Sequence, residues 1–262
     1  MLDLLFHTPL ALGIAQAAVA ALAAGGVVLL ARRRGLHLEK DALVAMVRGL
    51  VQIVGVGAIL LVLLRGPQWT SGFVLAGMIV AAGATSARRA KDIPGAFRIS
   101  VMAIGLGAGS IIAAMTALGV IGDALTSLVP IGSMLIANAM NTNALALNRF
   151  RADVLSHVGE IETALALGAE GKVSVSPYIQ ASLEASLIPA IDNLRSLGIV
   201  WIPGLMAGML LSGSPPVYAA IYQFVALTMI FAASGLTSLT SSLLVRGHVF
   251  SPAEQLLLRP PG

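Results

Sequence analysis

Apolar residues run along this chain in long blocks, broken by short polar stretches and by one polar stretch of about fifty residues. A helix needs about 20 apolar residues to cross the bilayer core. Seven segments reach or approach that length: Pro9–Ala31, Ala42–Leu64, Trp69–Ala87, Phe97–Ile121, Ala124–Leu147, Ile199–Leu211 and Tyr218–Val245. The pattern predicts an all-α integral membrane protein with about seven transmembrane helices in one domain spanning residues 1–262. The sixth segment is short and interrupted by Pro203–Gly204.

The long polar stretch has its own helical rhythm. Phe150, Val154, Val158, Ile161 and Leu165 recur at steps of three and four, as one apolar face of a helix does. A break follows at "GAEGK". Ser176–Pro177 then reads as an N-cap followed by proline at the first helical position. Ile179, Leu183, Leu187, Ile191 and Leu194 continue at helical spacing. The spacing predicts two helices around a Gly-rich turn, a loop over about 149–198 too small to hold a core of its own. Such a hairpin can rest on lipid headgroups or dock a partner. The acidic, apolar run "EIETALALGAEG" favours docking, because headgroup-binding helices carry Lys/Arg-rich faces.

Charge sets the expected orientation. Of 16 Lys and Arg residues, all but Arg65 fall in the first, third and fifth loops, in the tail, or at Arg48 near the start of the second span. Basic loops stay cytoplasmic, so the N-terminus is expected outside and the C-terminus inside. The leading "MLDLLFHT" has no basic residue, unlike a signal peptide, and "RRR" follows the first span; an uncleaved anchor is expected. Composition agrees: 57% of residues are hydrophobic and only 11% charged, against about 25% charged in soluble domains. With no cysteine, disulfides and thiolate metal sites are excluded. "GAEGKVS" lacks the first glycine and the Ser/Thr of a phosphate-binding loop (Ala166 and Val173 stand there), so no ATPase motif is present. "GLGAGS" lies mid-span and reads as packing glycine.

Within the fifth span, "VPIGSMLIANAMNTNALALN" carries four asparagines and no charge. Met134, Asn138, Asn141, Leu145 and Asn148 share one helix face, while Asn143 points elsewhere. Polar groups inside a membrane face the bundle interior or a water-filled path. Two readings stay open: glue between helices, or a translocation lining in which Pro130 breaks the helix and frees carbonyls. Met206 and Met209, beside the break at Pro203 and Gly204, extend the second reading, since Pro/Gly-broken segments mark transport sites.

The blocks "VPIGSMLIANAMNTNALALN", "LALGA" and "SLIPAIDNLRSLGIVWIPGLMAGMLLSGSPPVYAAIYQFV" resemble the FetB-type permeases, membrane subunits of a small ABC transporter family with bacterial members linked to iron export and plant relatives linked to aluminium tolerance. The resemblance implies a permease that is not itself an enzyme. It would be a homodimer in the bacterial plasma (inner) membrane, with ATP-Mg held on a separate ATP-binding cassette subunit and no cofactor on this chain. Glu162, Ala164, Leu165, Leu167, Gly168 and Ala169 match the first half of an ABC coupling-loop motif; Ile188–Pro189 lies further downstream than in importers. The metal ligands are unknown: His7, His37, His157 and His248 lie in loops or tails, and Asp123 and Asp192 at span ends. Export of a metal ion or metal complex is the function implied. The alternatives are a stand-alone secondary transporter, disfavoured because no ionisable residue sits near mid-depth, and a membrane scaffold without transport.

Overall fold

Long runs of Ala, Leu, Val and Gly with few helix breakers fold as helices in a computed structural model that describes residues 8–35, 39–63, 67, 69–122, 124–251 and 253–258. The leading residues 1–7, His37, Arg65, Asp123 and Arg259 lie outside the described residues. Among the described residues there is no strand, only two isolated bridges. The chain divides into two units, residues 1–66 and 67–262.

The first unit is a helical pair. In α1 (Pro9–Arg33), the Thr8 hydroxyl accepts from the Ala11 N–H and Pro9 opens the helix, where its missing N–H costs nothing. In α2 (Glu39–Leu63), Glu39 pairs with Arg32 across the turn at 3.2 Å.

The second unit contains α3 (Thr70–Arg88), then α4 (Ala96–Ile104) and α5 (Ser110–Ala117), joined into one continuous span by a π-helical turn at Gly105–Gly109. It continues with α6 (Leu125–Ser156), α7 (Val158–Ala166), the single turn α8 (Gly171–Ser174), α9 (Ser176–Ser196), α10 (Gly204–Leu211) and α11 (Pro216–Arg246). Helices α6 and α11 form its axis. Leu135, Ile136 and Ala139 of α6 meet Ala226, Leu227, Ile230 and Ala233 of α11, with Ile104, Ala108 and Ile112 closing the side. The π-helical turn approaches α11 so closely that a Cβ on Gly107 would lie 2.6 Å from the Thr237 backbone nitrogen. Only glycine fits, so the "GLGAGS" glycines include a packing contact. A second core gathers where α6 and α11 end: Phe150, Val154, Ile161 and Val175 pack with Ile93, Val249, Leu256 and Leu258.

Among the described residues, four helices are long and apolar enough to cross a membrane: Ala11–Arg33, Thr70–Arg88, Ala96–Ala117 and Pro216–Arg246. Several sequence expectations change in detail. Helix α6 passes through Pro130 without breaking. The proline sits in its second turn, so only the Thr126 carbonyl loses its intrahelical partner. The amphipathic run from Phe150 to Leu165 is divided at His157, yet both halves bury their apolar face in the same second core. Ser176 is the first residue of α9, not a side-chain cap. The expected sixth span contains only eight helical residues, about 12 Å long and short of the roughly 30 Å core. Helix α9 does not stand apart as loop. It packs against both α6 and α11, and its Ser186 Oγ lies 2.7 Å from Ser238 Oγ. The break at Pro203–Gly204 is present: Pro203 is extended and buried, and Gly204 starts α10.

Candidate functional site

The asparagine-rich face of α6 meets α9 and α11 near mid-height, with Asn138 about 20 Å from the start of α6. There a cleft of about 270 Å³ opens between the three helices, lined by Asn138, Asn141 and Leu145 of α6, Ser186, Pro189 and Asn193 of α9, and Ser234 of α11. The Asn138 amide N–H donates to the Met134 carbonyl at 2.9 Å, which pins the side chain and leaves its carbonyl oxygen free to accept. Among the described residues, no hydrogen-bond partner is present for the Asn141 or Asn193 side chains. Ser234 is fully buried and its hydroxyl has no partner among the described residues. Pro189 adds a backbone acceptor, because a proline inside a helix leaves the carbonyl four residues earlier, that of Ala185, without its N–H. The lining is therefore neutral, with several donors and acceptors uncommitted.

The asparagines differ in their surroundings. Asn143 is the fastener: fully buried, its amide donates to Ser86 Oγ at 2.7 Å and Ser100 Oγ at 2.9 Å, tying α6 to α3 and α4. Asn138 and Asn141 face the cleft. Met134 packs against the apolar core, and its part is the carbonyl that holds Asn138. Asn148 is exposed two turns further along and does not line the cleft. Met206 and Met209 on α10 are not brought to it either; the Met206 N–H donates to the buried Gln223 carbonyl oxygen at 3.2 Å. Sequence reasoning missed Ser186, Asn193 and Ser234. The signal was available: Ser182, Ser186 and Asn193 lie on one side of a helix at steps of four and seven, and Ser234, Ser238 and Ser241 lie at steps of four and three on α11.

At the other core, α7 projects one residue type while burying another. Ile161 is 1% exposed and anchors the helix; Leu165 packs beside it and Ala164 is half-buried. Glu162 is exposed, and Leu167 stands 84% exposed at the exit. Gly168 there has φ +90°, its N–H donates to the Leu165 carbonyl, and the half-buried Ala169 donates to Ala164 at 3.0 Å. This paired pattern closes the helix and needs glycine at the left-handed position. The helix is braced at its start, where the His157 ring stacks on Tyr178 at 4.9 Å and the Tyr178 hydroxyl donates to Glu160 at 3.3 Å. The C-terminal tail braces it from behind. The Gly171 N–H donates to the Glu254 carboxylate at 2.6 Å, and Arg246 donates to the Lys172 carbonyl at 3.1 Å.

Residues 14–250 match the description "Uncharacterised protein family (UPF0014)". The rice "UPF0014 membrane protein STAR2" is 31% identical over 93% of this chain and 84% of its own length. The "Probable iron export permease protein FetB" of Escherichia coli K12 is 30% identical over 88% of this chain and 90% of its own. The Arabidopsis thaliana "Protein ALUMINUM SENSITIVE 3" is 28% identical over 87% of this chain and 84% of its own. No solved structure matches the chain. A match over nearly the whole length, on a helical chain with several membrane-crossing helices, leads to one conclusion: the chain belongs to the UPF0014 family of membrane proteins, which includes the FetB-type permease its sequence resembles.

Proposed function

We propose that this chain is the membrane subunit of an ATP-driven exporter of a metal ion or metal complex, working as a homodimer in the bacterial inner membrane. A separate cassette ATPase supplies ATP-Mg hydrolysis. The observation that carries the reading is α7, held by the buried Ile161 while Leu167 projects 84% exposed beside a glycine exit. A short helix braced from behind and offering one apolar knob suits a groove on a partner protein. Its base shares a core with the ends of α6 and α11, the helices that wall the cleft, so a push on α7 is delivered to the helices of the path.

The cleft supports transport. Asn141 is exposed on the face of a single chain near mid-membrane, where contact with lipid is costly. Water in a path, or a second copy across a two-fold axis, removes that cost. Seven crossings with the N-terminus outside and the C-terminus inside follow if α9 serves as the sixth, with α10 resting at the outer surface. The relative named as an iron export permease supports metal cargo.

Co-purification with the cassette ATPase tests the reading. Glu162→Arg and Gly168→Trp should abolish recruitment and coupled ATP hydrolysis while the permease still folds. Unchanged recruitment by both variants, or solute transport by the purified chain alone, would overturn it.

A further inference from the structure

The cleft between α6, α9 and α11 holds three amide side chains and one hydroxyl that the surrounding fold leaves wholly or partly unused. The Asn138 side chain is pinned by its own N–H and offers an oxygen. Asn141 and Asn193 offer both oxygen and N–H. Ser234, fully buried with an unpartnered hydroxyl, lies in the wall. A buried hydroxyl without a partner is costly, and a ligand or its water restores the missing hydrogen bond.

A bare transition-metal cation is held tightly by carboxylates, imidazoles or thiolates placed to replace its shell. Neutral amides at one wall of an open cleft return far less than stripping that shell costs. They are suited instead to the outside of the shell, whose coordinated waters are strong donors. Space agrees: six waters at roughly 30 Å³ each need roughly 180 Å³, within the 270 Å³ present.

We infer that the cleft binds a metal cation that keeps its inner ligands, recognised through outer-sphere hydrogen bonds that those ligands donate to the oxygens of Asn138, Asn141, Asn193 and Ser234. Selectivity then reads the size and hydrogen-bond geometry of the whole complex, not the ion's preference for protein donors. The assignment rests on the exporter reading, but its test does not need the ATPase, so the two fail separately.

Hexaamminecobalt(III) is the probe, since its six ammine ligands exchange too slowly to admit a protein donor. The chain has no cysteine, so Leu145→Cys, 40% exposed in the cleft wall, supplies a single reactive thiol. In proteoliposomes, millimolar hexaamminecobalt(III) should slow maleimide modification of that thiol at least fivefold. Adding Asn141→Leu or Asn193→Ala should remove the protection, and Asn141→Gln should retain it; monodisperse gel filtration certifies each variant. Protection by labile Fe(II) or Ni(II) but not by the inert complex would overturn outer-sphere recognition. Absence of protection by any of the three would overturn the cleft as a cation site, leaving the docking of α7 to its own test.

Discussion

Replacing Gly168 by alanine isolates the part that the α7 exit plays in docking. At φ +90°, the two bonds that close the helix need a left-handed backbone. A residue bearing a Cβ loses about 1–2 kcal/mol in that region relative to glycine. A Cβ at this position meets nothing within 4 Å, so no clash complicates the substitution. The cost is met by local rearrangement of the exit in the free permease. A partner that binds the closed form must then restore it, and its apparent affinity falls by the same free energy. At about 1.4 kcal/mol per tenfold, Gly168→Ala should weaken ATPase binding about 5- to 30-fold, measured as a Kd for the detergent-solubilised permease. Gly159→Ala is the control, because Gly159 lies in the first turn of the same helix and its Cβ also meets open space; it should bind as well as the parent chain. Equal Kd values for Gly168→Ala and the parent would refute the claim that the closed exit is what the partner reads.

Other substitutions separate the roles of individual groups. Asn143→Ala should cost about 1–3 kcal/mol in a denaturant titration, since it removes the bonds to Ser86 and Ser100 and leaves two buried hydroxyls. Asn141→Leu, on an exposed position of the same helix, should leave stability within about 0.5 kcal/mol and reduce metal-stimulated ATP turnover of the reconstituted pair. Gly107→Val should prevent normal packing of the π-helical turn on α11 and lower the yield of monodisperse protein; Gly105→Ala, whose Cβ would sit 3.7 Å from Ile79, should be tolerated. Glu254→Ala should release the tail from Gly171 and speed limited tryptic cleavage at Arg246 several-fold.

Much of this was legible in the sequence because hydrocarbon imposes strong patterns. Apolar blocks gave the helices, and the face shared by Phe150, Val154, Ile161 and Leu165 foretold a single buried stripe even though the helix divides at His157. The α7 exit was legible for a local reason: "LGA" after an apolar helix is a closing signal whose bonds lie within six residues. What stayed hidden depended on distant partners. Asn141 and Asn143 are two residues apart, yet one meets the cleft and the other meets Ser86 and Ser100, more than forty residues away. The placement of α9 was obscured by Glu184, Asp192 and Arg195, which made a helix packed on α6 and α11 read as one arm of a hairpin between spans. The tail's part in the second core rests on Val249, Leu256 and Leu258, too few and too irregular to show a period.

The central claim is that a separate ATPase grips α7 and moves the helices of the cleft. Incorporating a photocrosslinking amino acid at position 167 and irradiating intact cells tests it most directly. The account predicts one dominant adduct, with the mass of the chain plus a cassette ATPase, lost when Glu162→Arg is added. Irradiation that yields no ATPase adduct, while an impermeant reagent labels position 167 from outside the cell, would contradict it.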